Sequence, residues 1–154
     1  MNEITLTLPY PISANRYWAS RVLPGKLPRA VMYVTTEAKA YKAQVAALTR
    51  VAGVTAPIEG RVQVEVWLYP HRPQDWAKRQ RRLGECWDDS VMCIDLDNAN
   101  KVLLDALKDV VMQDDAWVRR IISWRMEPDE WGARVVVKVT ALSPLKPQNE
   151  IYFS

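Results

Sequence analysis

The chain is short of the residues that build several familiar kinds of site. It has one histidine, His71, and two cysteines, Cys86 and Cys93, in 154 residues. A single histidine excludes a histidine-rich metal centre and argues against a histidine general base. The cysteines have six residues between them and form no Cys-x-x-Cys pair, which argues against zinc and, in a reducing compartment, against a structural disulfide. Glycines number only five, and no stretch is poor enough in apolar residues to make a disordered tail of any length. Long hydrophobic runs are missing too, because charges interrupt them every few residues, and the N-terminus opens on acid and threonine rather than on a basic, apolar export signal. A soluble cytoplasmic protein with no membrane partner is expected.

What is present suits one domain with a real core: 49% of the residues are apolar and 25% charged. The net charge of +3 is mild, but its distribution is not even. Arg72, Lys78, Arg79, Arg81 and Arg82 fall in one short segment, and Asp88, Asp89, Asp95, Asp97, Asp105, Asp109, Asp114 and Asp115 crowd the residues that follow. Cations that hold phosphates beside carboxylates that hold metal are the requirements of a nuclease.

Residues 3–8 alternate apolar and polar as a half-buried strand does, and Pro9 and Pro11 end the ladder, so the segment from Ser13 to Trp18 reads as a loop. With Thr35 or Thr36 as N-cap, Ala38, Tyr41, Val45 and Leu48 recur at helical spacing, which predicts a first helix over 36–51. Strict alternation over 61–68 predicts a second strand. Residues 71–93 show no durable periodicity and read as an exposed basic excursion with one helical turn, carrying Trp76 and Trp87. A second helix starts at Asp97 or Asn98, with Ala99, Val102, Leu103, Ala106, Leu107 and Val110 on its apolar stripe and Asn98, Lys101, Asp105 and Lys108 opposite. The valine-rich segments 117–126 and 133–142 predict an antiparallel hairpin across a turn-rich linker. The expectation is an α+β fold: a single compact domain over 1–142, with a mixed β-sheet, two helices on one face, and the order β-α-β-α-β-β. Residues 143–154 form a C-terminal extension whose Ile151-Tyr152-Phe153 tip is suited to docking on this subunit or on a partner.

The chemistry concentrates in Asp95-Leu96-Asp97-Asn98-Ala99-Asn100-Lys101, answered by Asp114-Asp115. In an extended segment residues two apart point the same way, so Asp95 and Asp97 converge while Leu96 enters the core. Both also lie near a helix N-terminus, which favours negative charge. An incomplete set of hard oxygen donors suits Mg²⁺, with Mn²⁺ as the substitute. A short connection after the second helix would then return Asp114-Asp115 to the same place. A calcium loop fails position by position: with Asp95 first, its glycine position holds Asn100 and its bidentate glutamate position Ala106. Taken alone, Asp-x-Asp is more often a helix cap followed by solvated charge; Lys101 on the same side of the helix is what a purely structural account does not require.

These residues carry a resemblance. Asp95-Leu96-Asp97-Asn98, Lys101, Leu104-Asp105-Ala106-Leu107 and Asp114-Asp115-Ala116-x-Val118 match, in order and spacing, the signature of RusA-type Holliday-junction resolvases. The opening Leu8-Pro9-Tyr10-Pro11 with Asn15-Arg16-Tyr17-Trp18 is also similar to that family's. The resemblance implies a homodimeric, Mg²⁺-dependent endodeoxyribonuclease that nicks two strands of a four-way DNA junction in recombination and repair, in a bacterial or phage setting, with no nucleotide cofactor. By position it makes Asp95, Asp97 and Asp115 the catalytic metal ligands, with Asp114 the other member of the last pair, and Lys101 the essential lysine. It places Asn15, Arg16, Tyr17 and Asn98 near the DNA. The basic residues Arg72, Lys78, Arg79, Arg81 and Arg82 are read as phosphate contacts. The excursion at 71–93 and the C-terminal arm depart from the compact family pattern. Two rival readings are a junction-binding protein without cleavage and a metal-dependent flap or single-strand nuclease.

Overall fold

The computed structural model describes residues 3–142. The expected C-terminal arm lies outside the described residues. Four strands make the main sheet: β1 (Glu3–Pro9), β4 (Val62–Tyr69), β5 (Val118–Arg125) and β6 (Arg134–Ala141), in the order β1-β6-β4-β5. Two further strands, β2 (Trp18–Leu23) and β3 (Arg29–Val34), form a separate antiparallel ribbon. The helices are α1 (Ala14–Tyr17), α2 (Thr36–Val51), α3 (Trp76–Leu83) and α4 (Leu96–Leu107), with 3₁₀ turns at Gly84–Ser90 and Asp115–Trp117.

Alternation along the strands makes one face of the sheet. Ile4, Leu6 and Leu8 of β1, Val62, Val64, Val66 and Leu68 of β4, and Val135, Val137 and Val139 of β6 are all buried, and the residues between them are not. On this face pack α2, through Ala38, Tyr41 and Val45, and α4, through Ala99, Val102, Leu103, Ala106 and Leu107. The Thr35 hydroxyl caps α2 by accepting from the Ala38 N–H at 3.2 Å. The α+β class, the mixed sheet and the six expected elements are all present, and α1, α3 and the β2–β3 ribbon are added to them.

The predicted hairpin between the last two strands does not form. β4 lies between β5 and β6, pairing parallel with β5 and antiparallel with β6. Burial decides this. β6 carries three fully buried valines and fits the middle of the sheet, whereas β5 is studded with exposed Arg119, Arg120, Trp124 and Arg125 and fits an edge. A parallel neighbour to β4 needs a long crossover, and the stretch containing α3 and α4 supplies it.

The basic excursion is also more ordered than its sequence predicts. It folds as α3 followed by a 3₁₀ turn, and it is fastened to the end of β5: Trp87 Nε1 donates to Glu127 Oε1 at 2.6 Å, and Arg125 donates to the carbonyls of Asp88 (3.0 Å) and Val91 (2.8 Å). Trp87 is buried, so it anchors the excursion to the domain.

Candidate nucleic-acid cleavage site

Strand directions determine where each functional side chain falls. β1 and β4 both run antiparallel to β6, so their C-terminal ends share one edge of the sheet, where Pro9 and Tyr69 both align with Arg134. The chain leaving β1 there meets the chain entering α4. Tyr10 makes the joint: its hydroxyl accepts from the Ile94 N–H at 2.7 Å and faces Cys93 Sγ at 3.6 Å. Burial, partly opposed by the Ile94 N–H, pushes the Tyr10 phenol up to about 12. Tyr10 falls in the opening Leu8-Pro9-Tyr10-Pro11 motif, but the local sequence does not announce this bond, because its partner lies 84 positions away.

A cleft of about 850 Å³ opens at this edge, and its lining includes Tyr10, Arg16, His71, Arg79, Asp95 and Asn98. Asp95 is the N-cap residue of α4, in extended conformation, and its carboxylate caps nothing. Asp97 sits in the first turn of α4 and is exposed. The extended geometry expected for the pair therefore holds at Asp95 only; Asp97 is already helical, and the two carboxylates share the N-terminal end of the helix dipole. Lys101 is exposed one turn beyond Asp97 and takes part in none of the described ion pairs. Asn98 is half-buried on the cleft wall.

Asp114 and Asp115 do not join them. Gln113 reaches the start of β4, donated to by the Gly60 N–H at 3.1 Å, and Lys108, just past the end of α4, lies 3.8 Å from Asp114. The second acidic pair is therefore at the opposite edge of the sheet, separated from Asp97 by the length of α4, about 18 Å for twelve residues. The returning connection that the sequence suggested leads instead to the beginning of β5, and β5 runs most of its length parallel to β4 before its Ser123 meets Asn100 of α4 at 2.9 Å. The two carboxyls interact closely. Asp115 is raised from its ordinary value, first by its hydrogen bond with Asp114, and Asp114 is lowered by the same bond and then by the Ala116 N–H. Among the described residues no group of three or more histidine, cysteine or acidic side chains is placed to hold a metal ion.

The remaining expected contacts divide. Asn15 and Arg16 are exposed, Arg16 pairing with Glu37 on α2. Tyr17 is fully buried and its hydroxyl donates to Asp105, so it supports the site from behind and presents no surface to DNA. Asp105, expected on the open polar face of α4, is half-buried and also held by Lys42 at 3.4 Å. In the basic segment, Arg79 is committed to Asp75 (2.9 Å) and the Ser90 carbonyl (3.0 Å), and Arg72 stacks over Trp76 at 4.4 Å. Lys78, Arg81 and Arg82 are exposed on α3 at spacings of three and four residues, which puts them on neighbouring helical positions, and they take part in none of the ion pairs among the described residues.

An α+β domain with one carboxylate, Asp95, on a cleft that also holds Arg16 and Arg79, and a second, Asp97, in the adjoining first turn of the helix, has the general form of a hydrolase acting on phosphodiesters. The family model for the RusA endodeoxyribonucleases matches residues 9–140, and the chain belongs to that family. Its members are nucleases that resolve branched DNA junctions and are generally dependent on divalent metals. No curated protein matches the chain.

Tyr10 offers a test of how the site is held. Tyr10→Phe leaves the half-buried Ile94 N–H without its acceptor, and a loss of about 1–2 kcal/mol in denaturant unfolding is expected, with an unchanged m-value. DNA nicking falls along with it because the segment leading to Asp95 loosens; full nicking activity in the variant would remove Tyr10 from the site.

Proposed function

We propose that this protein is a homodimeric, Mg²⁺-dependent endonuclease that resolves four-way DNA junctions by paired phosphodiester hydrolysis during recombination and repair, with Mn²⁺ as an alternative metal. The observation that carries the proposal is Asp95, on the cleft wall with no cap bond to its carboxylate, next to Asp97 in the first turn of α4, in a chain of the RusA family. A bound divalent ion would polarise the scissile phosphate and acidify a water for in-line attack. Asp95 and Asp97 are hard, anionic donors suited to it. Lys101, one turn along the same helix, neutralises charge developing on the phosphoryl oxygens. Asn98 and Arg16 orient the strand in the cleft, and Lys78, Arg81 and Arg82 hold a neighbouring phosphate run.

The homodimer enters for a geometric reason as well as a family one. One chain carries its two acidic pairs at opposite edges of its sheet. In a two-fold pair with antiparallel α4 helices, Asp115 of the partner subunit comes level with Asp95 and Asp97, and each of two identical sites is completed in trans. The strand β5, at the edge of the sheet among the described residues and beside α4, is the natural line of approach.

The test is incubation with labelled four-way junction, flap and linear duplex, with Mg²⁺ or with chelator. Paired, Mg²⁺-dependent nicks confined to the junction are expected. Junction binding without any product would reduce the protein to a binding factor, and preferential cutting of flaps would reassign the substrate.

A further inference from the structure

The β2–β3 ribbon has no role in the site described above, and it is built unlike the rest of the molecule. Among the described residues it stands apart from the main sheet, pairing only with itself from Trp18↔Val34 to Leu23↔Arg29. Its base is tied to the wall of the cleft: the Thr35 N–H donates to the Tyr17 carbonyl at 3.0 Å, the Thr35 hydroxyl to the carbonyl of cleft residue Arg16 at 2.7 Å, and Trp18 packs on Tyr17. Six residues per strand carry it about 20 Å outward.

Two properties of the ribbon point to the same ligand. From Trp18 to Val34 it holds three cations, Arg21, Lys26 and Arg29, and no acid. At its tip, Pro24 and Pro28 bracket Gly25-Lys26-Leu27, and Leu27 is 89% exposed. Val22 and Met32 are exposed on the strands behind it. A bare two-stranded ribbon is marginal in water and is stabilised by what it packs against. An acid-free surface on a chain of net charge +3 favours a polyanion over a second copy of itself. An apolar tip flanked by cations fits a place where a polyanion offers apolar surface, which in DNA is a step whose bases have come unstacked.

We propose that the ribbon is a DNA arm that tracks the backbone outward from the cleft through Lys26 and Arg29 and seats Leu27 against unstacked bases at the branch point. This rests on the reading of the protein as a junction nuclease. It adds a wedge residue outside the carboxylate site and makes the arm a sensor of branching.

The experiment uses a four-way junction with 2-aminopurine at the branch, bound by the full-length chain in an Asp97→Asn background so that the DNA stays uncut. With Leu27 present, emission rises several-fold on binding. In Leu27→Ala the rise disappears, while affinity changes by less than about threefold, since the residue is exposed and its loss leaves the fold and the phosphate contacts intact. Lys26→Ala with Arg29→Ala, which removes two cations from each of the two arms of the proposed dimer, lowers the slope of log affinity against log salt by about four. Equal emission with and without the Leu27→Ala substitution, or an unchanged salt slope, overturns the arm. So does dissociation of the subunits by Leu27→Ala in sedimentation, which would give the ribbon to an interface between copies. Wild-type nicking of the junction in Mg²⁺, measured alongside, separates the two levels: if it occurs and the variants behave as wild type, only the arm falls; if the wild type neither binds nor nicks junctions, both readings fall.

Discussion

Asp97→Asn is expected to bind four-way junctions with near-normal affinity and to cut them at least about a thousandfold more slowly, a loss of roughly 4 kcal/mol of transition-state stabilisation. The substitution keeps size and hydrogen-bonding shape and removes one negative charge from the first turn of α4, where the side chain is exposed and supports no part of the core. A hard divalent ion depends on that charge far more than DNA does; DNA, if anything, gains from its removal. Single-turnover cleavage and gel-shift binding, measured on the same preparation, check both halves. Normal cutting would exclude Asp97 from metal binding, and lost junction affinity would give it a structural or DNA-contacting role instead.

Mixing two inactive proteins is expected to restore activity. On the proposed dimer, the Asp97→Asn and Asp115→Asn proteins would each lack a ligand in both of their sites. In a heterodimer whose sites are shared between subunits, both substitutions fall in one site and the other is intact. An equimolar mixture, after subunit exchange, recovers about a quarter of the wild-type number of sites, and its product is a single nick rather than a paired cut. If each chain supplied its own Asp115, every site in every species would carry a defect and nothing would be recovered. The placement of Asp114 beside Lys108, at the far end of α4 from Asp97, is the reason to expect recovery.

The parts of this fold that could be read in the sequence are those with one buried face. β1, β4, α2 and α4 announce themselves through Ile4, Leu6 and Leu8, through the alternate valines of β4, and through stripes at helical spacing, because burial imposes the period. The β2–β3 ribbon has no such face: Ser20, Val22, Ala30 and Met32 are all exposed, so no alternation marks it. α3 was obscured in the same way, having no buried residue of its own and depending on Trp87 and Arg125 for its attachment. The order of β5 and β6 was a matter of which strand the core covers, and adjacency in the chain pointed to the wrong pairing. At the site, Asp95, Asp97, Asn98 and Lys101 could be found by spacing, since they belong to one helix start. The position of Asp115 could not, because it depends on the direction of a whole strand, and the burial of Tyr17 depends on a partner, Asp105, on another element.

The clamp on residues 91–94 also affects how the site responds to its ligands. Tyr10 holds the Ile94 N–H and Arg125 holds the Val91 carbonyl, so the approach to Asp95 is gripped from β1 on one side and β5 on the other. Ordering a free residue costs about 1–2 kcal/mol. Here that cost is met when the chain folds, not when a cation or a DNA strand arrives. On the proposed reading of Asp95 as a cation ligand, the backbone leading to it is already ordered before a ligand arrives, and fast binding at this end of α4 is expected.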